Sequence, residues 1–95
     1  MEKNSRDIVW LPNVIQRLKE FRSPRFTPEE TLDFISQIVL ETEGLLLNNI
    51  FRKSYTEEYG KYKGISRIVI KKFRIYFEHG ENNIIILAIL FPGEP

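Results

Sequence analysis

The stretch GISRIVIKKFRIYFEHGENNIIILAIL, residues 64–90, constrains the fold more than any other part of the chain. Its first half alternates. Ile68 and Ile70 fall on one side of an extended backbone, and Arg67, Val69 and Lys71 on the other. Phe73, Ile75 and Phe77 then share a side, with Arg74, Tyr76 and Glu78 opposite. If the chain reverses at Lys71-Lys72, Ile70 faces Phe73, Val69 faces Arg74, Ile68 faces Ile75 and Arg67 faces Tyr76. Both apolar sets then land on one face, which supports that register. Lys-Lys is a poor two-residue turn, because such turns want Asn or Gly at positive φ, so a longer loop is also open. HGENN, with His79 in it, is a better turn. Residues 84–91 read as a strand buried on both sides, stopped by PGEP.

Upstream, DIVWL is β-branched and aromatic and ends at Pro12, which reads as a first strand. Pro12 suits the first turn of a helix over residues 12–22, in which Val14, Ile15, Leu18 and Phe21 recur at helical spacing. Thr27 and Glu30 form a capping-box pattern with Pro28 between them. They open a second helix over residues 28–48, with Leu32, Ile35, Ile38, Val39, Thr42, Leu45 and Leu46 along one face. This helix carries five acids and no base. NNIFRKSYTEEYGKYKG reads as a long connection whose tyrosines cover the core edge. Residues 1–95 form one domain with the order β-α-α-β-β-β. It is an α+β fold, with two N-terminal helices packed on a mostly antiparallel sheet.

Several chemistries have no support. The chain has no cysteine, so disulfides, thiolate metal sites and thiol nucleophiles are excluded. His79 is the one histidine and reads as a turn residue rather than a general base. No ligand cluster, Gly-rich phosphate loop or nucleophile elbow is present, so no metal and no cofactor is expected. The apolar run NNIIILAILF is far short of the roughly 20 residues a membrane helix needs, and MEKNSRDIVWLP has no secretory pattern. The reading is cytoplasmic.

What remains is charge. Six basic residues and no acidic one lie between Lys61 and Arg74. Arg67, Arg74 and Tyr76 share a hairpin face, flanked by Lys61, Lys63, Lys71 and Lys72. Arginine suits forked contacts to phosphate or carboxylate, and tyrosine can stack on a base. A merely solvated sheet face explains the same residues, and composition alone favours it. Trp10, Phe73 and Phe77 are expected in the core.

Nearly all of the chain resembles the RelE/ParE superfamily, the toxins of bacterial type II toxin–antitoxin systems, which include ParE-like plasmid stabilisation proteins. DIVWLPNVIQRLKEF is similar to the family's opening strand and helix, YTEEYGKYKG to the segment before its hairpin, and GISRIVIKKFRIYFEHGENNIIILAIL to the hairpin core. The resemblance implies a toxin neutralised by a small wrapping antitoxin. ParE-like members act on DNA gyrase; RelE-like members cleave mRNA on the ribosome. Arg74 matches the arginine of the family's Tyr-Arg hairpin motif, and Arg67 falls near the first of two lysines in the preceding strand. Val69 stands where the second would align. Where relatives carry a basic segment after the last strand, and nucleases a catalytic tyrosine, this chain reads LFPGEP.

The expectation is therefore ordered. First comes a ParE-like inhibitor of a gyrase-type topoisomerase that is not an enzyme. Next comes an attenuated or inactive member that only binds an antitoxin. Last comes a RelE-like endoribonuclease, with Arg67, Arg74 and Tyr76 as its catalytic set. In every case Arg67, Lys71, Lys72 and Arg74 are the partner- or target-binding residues. The antitoxin segment is expected to be amphipathic, with acids opposite Arg67, Arg74 and Lys72, lying on the sheet or in the groove beside the helices.

Overall fold

The structure, a computed structural model, describes residues 7–47 and 55–95. The strands are β1 (Asp7–Trp10), β2 (Tyr55–Thr56), β3 (Ser66–Ile70), β4 (Phe73–His79) and β5 (Asn83–Leu90). The helices are α1 (Pro12–Glu20) and α2 (Pro28–Leu47). The sheet order is β1-β5-β4-β3-β2, antiparallel except where β1 runs parallel to β5. The domain is α+β, as expected. Two details differ. The connection after α2 contributes a strand: β2 pairs Tyr55 with Arg67 and Thr56 with Ser66. His79 closes β4 rather than sitting in the turn.

The hairpin takes the register read from the alternation, from Ser66 opposite Phe77 to Ile70 opposite Phe73. The tight turn forms at Lys71-Lys72 despite the poor fit, with φ of 50° and 71°. Those angles put both lysines in the left-handed region, which non-glycine residues enter at a steric cost. The apolar pairing on either side holds the turn in place. Between β4 and β5 the register slips at Tyr76/Phe77, so that Tyr76 faces Ala88 while Phe77 faces Ile86. A bulge of this kind bends the strand and raises its twist.

α1 ends two residues before the expected boundary. Phe21 turns extended, and its ring packs 5.1 Å from both Phe73 and Phe91. Arg22 then donates to the carbonyls of Lys19 and Phe21, which satisfies the helix end. α2 opens on the capping box: Thr27 N–H donates to Glu30 and Glu30 N–H to the Thr27 hydroxyl. Its last expected residue, Asn48, lies outside the described residues.

Both helices cover one face of the sheet. Val14, Leu18 and Ile38 from the helices meet Ile68, Ile70, Phe73, Ile75, Phe77, Ile84, Ile86 and Ile89 from the strands. Thr42 is fully buried inside this layer and donates its hydroxyl to the Ile38 carbonyl at 2.7 Å. Three expectations about burial are corrected. Ile85, Leu87 and Leu90 of β5 are only half-buried, because the helices lie on the other face. Leu32, expected on the packed face of α2, is 68% exposed. Trp10 is half-buried and packs at the edge of the core.

Candidate functional site: a sheet face held by two glutamates and a groove between the helices

The sheet face away from the helices carries Arg67, Tyr76 and Arg74. Arg67 and Tyr76 are cross-strand partners, and Arg74 stands two residues before Tyr76 on β4, opposite Val69. Tyr76 is only 1% exposed. The segment between β2 and β3 folds over it: Gly64 N–H donates to the Glu57 carbonyl and Glu57 N–H to the Ile65 carbonyl. Gly60 and Gly64, at φ of 84° and 87°, permit that turn. It lays the Tyr62 ring on the Tyr76 ring, with centroids 4.4 Å apart.

Glu57 is the acceptor this face shares. Tyr76 donates its hydroxyl to Glu57 Oε1 at 2.5 Å, and Arg67 donates to the same oxygen at 3.0 Å. The guanidinium of Arg67 also lies 4.5 Å over the Tyr55 ring. The Tyr76 hydrogen bond, helped by the charge of Arg67, holds the Glu57 carboxyl below its ordinary range. Burial pushes the Tyr76 hydroxyl up, and donation to Glu57 pushes it further.

Arg74 is held by a second glutamate. Its guanidinium donates to the main-chain carbonyl of Glu94. The Glu94 carboxylate accepts from the Phe91 N–H at 2.7 Å and pairs with Arg17 from α1. The Phe91 N–H, and after it the Arg17 charge, lower the Glu94 carboxyl. Lys71 and Lys72 are exposed at the hairpin tip, and Lys71 reaches Glu41 of α2 at 3.5 Å. The fold thus joins Arg67 and Tyr76, keeps Arg74 on a separate partner, and turns Lys71 toward the helix layer.

The sequence reading missed Glu57, Glu94 and Arg17, while the covering role expected of the connection's tyrosines falls to Tyr62 over Tyr76. The Pro-Gly pair before Glu94 was the available signal, since a turn there returns the next side chain to the strand end.

On the opposite layer, a groove of about 330 Å³ is lined by residues of α1 and α2. Ile15, Leu18, Leu32, Ile35 and Val39 give it apolar walls, and Trp10 closes one end by donating Nε1–H to Glu43 at 2.9 Å. Lys19 and Arg22 stand on the α1 side. Among the described residues no cluster of three or more His, Cys, Asp or Glu side chains could hold a metal ion, and no helix is long and apolar enough to cross a membrane.

No family model matches the chain, and no curated protein matches it.

Proposed function

We propose that the chain is the toxin of a type II toxin–antitoxin pair, of the ParE-like kind, acting in the cytoplasm on a gyrase-type topoisomerase and neutralised by a small antitoxin. The observation that carries this reading is the apolar groove between α1 and α2, with Leu32 68% exposed at its lip. A groove of this form suits an amphipathic helix with anchors at i, i+3, i+4 and i+7. Acids on such a helix would meet Lys19 and Arg22. The resemblance described above supports this reading, and the α+β class of the fold is compatible with it.

The second reading, a ribosome-dependent endoribonuclease, rests on the juxtaposition of Arg67 and Tyr76. It requires phosphate to displace Glu57 from both of them and Glu94 from Arg74. Phosphoryl transfer by positioned cations needs several groups aimed together, and this arrangement leaves those groups engaged with the chain's own acceptors. An attenuated member that keeps only the antitoxin groove is a further alternative, ranked ahead of the nuclease.

Inducible expression in bacteria tests the proposal. Growth arrest with a DNA-damage response, and intact mRNA, is the expected outcome. Arrest with cleaved mRNA that Arg74→Ala relieves would replace it with the nuclease reading. Normal growth at full expression would leave the attenuated member.

A further inference from the structure

Glu94, four residues past the end of β5 at Leu90, engages two arginines that come from different layers of the fold. Arg17 belongs to α1 and Arg74 to β4, yet both donate to Glu94, the first to its carboxylate and the second to its carbonyl. The same carboxylate oxygen accepts the Phe91 N–H. A guanidinium and a backbone N–H converging on one oxygen, with a second guanidinium alongside, make a donor set suited to oxyanions.

We infer that Arg17, Arg74 and the Phe91 N–H form an oxyanion-binding site in which Glu94 is a tethered occupant, and which a phosphate- or carboxylate-bearing ligand opens by displacing it. The inference stands apart from the toxin reading and needs none of its partners.

Three observations support exchange. First, Arg17 has other supports: its guanidinium lies 4.2 Å from the centroid of the Phe91 ring and also donates to the Ile89 carbonyl. It therefore stays aimed when Glu94 leaves. Second, the Arg17 and Glu94 side chains are each 36% exposed, so water and solutes reach the pair. Ion pairs this exposed are weak, and opening costs little. Third, the tether is a single tight turn, with Gly93 at φ 88° and Glu94 N–H donating to the Phe91 carbonyl at 3.1 Å. A short tether holds its carboxylate at an effective concentration on the order of millimolar, high enough to keep weak ligands out.

The test is titration of the full chain with inorganic phosphate and, separately, with acetate, followed by amide NMR. If Glu94 fills the site nine-tenths of the time, Glu94→Ala raises anion affinity about tenfold. Glu29→Ala removes an equal charge from α2 and is expected to leave affinity unchanged. Arg17→Ala in the Glu94→Ala background is expected to abolish the gain. A response to phosphate alone assigns a phosphoryl ligand; a response to both assigns oxyanions in general. Glu94→Gln, which keeps the side-chain shape, guards against a folding artefact and is expected to show a gain of the same sign. Equal affinities for the Glu94 and Glu29 variants, or a gain that survives Arg17→Ala, would overturn the inference.

Discussion

Arg67 and Tyr76, opposite each other on β3 and β4, donate to the same oxygen of Glu57. The shared acceptor makes the face a coupled unit. Removing the hydroxyl with Tyr76→Phe is expected to lower the unfolding free energy by about 1 kcal/mol, read from urea denaturation. The alkaline limb changes too. The Tyr76 hydroxyl is raised above its ordinary value of 10.0, so its contribution is complete below that pH and is lost as pH rises through the folded value. Tyr76→Phe should flatten that loss.

The acid limb has the opposite sign. Glu57 and Glu94 both sit below their ordinary value of 4.5 in the folded chain. Their stabilisation is present above that pH and disappears as pH falls through the folded values. Urea midpoints measured across the acid range should fall less steeply for the Glu57→Gln, Glu94→Gln double variant than for the parent. Equal slopes would mean that neither pair couples to folding.

The core should be most sensitive at Phe73. It is fully buried, and its ring touches those of Phe21, Phe34 and Phe91. Phe73→Ala is expected to cost about 3–5 kcal/mol, a large part of what a domain of this size possesses. Loss of the cooperative urea transition, or a midpoint shift of that size, is the expected readout.

The lysine turn can be improved. Both residues hold positive φ, so Lys71→Asn with Lys72→Gly should stabilise the hairpin by about 1 kcal/mol. The exposed Lys71–Glu41 pair is lost in exchange and is worth less than that. Calorimetry should show a rise in melting temperature of about 4–8 °C.

The groove makes a prediction about binding without folding. Leu32 is mostly exposed, so Leu32→Glu should change stability by less than about 0.5 kcal/mol. Under the proposed function it should also abolish rescue by the neutralising partner in co-expression. Rescue that persists would place the partner elsewhere.

Legibility in the sequence followed the range of each interaction. The β3–β4 register could be read because alternation and turn position lie within a few residues of each other. The Thr27–Glu30 box could be read for the same reason. The Glu57–Tyr76 and Arg17–Glu94 contacts could not, since their partners meet only after the sheet has formed. Trp10 looked like core because it is large and apolar. Its indole N–H instead needed a partner, which it found in Glu43 across the groove. The short β2 escaped notice because two residues carry no periodicity.

The parallel pairing of β1 with β5 sets a timetable for the nascent chain. At the sheet edge β1 has, among the described residues, β5 as its one strand neighbour, and Asp7 must wait for Asn83. At ordinary elongation rates that wait lasts roughly 4–15 seconds. During it Val14, Leu18 and Ile38 have no floor to pack on, since that floor is built from residues 68–89. The emerging polypeptide is then a natural client for chaperones. The sheet that carries the core cannot close until the last strand, ending at Leu90, has been made.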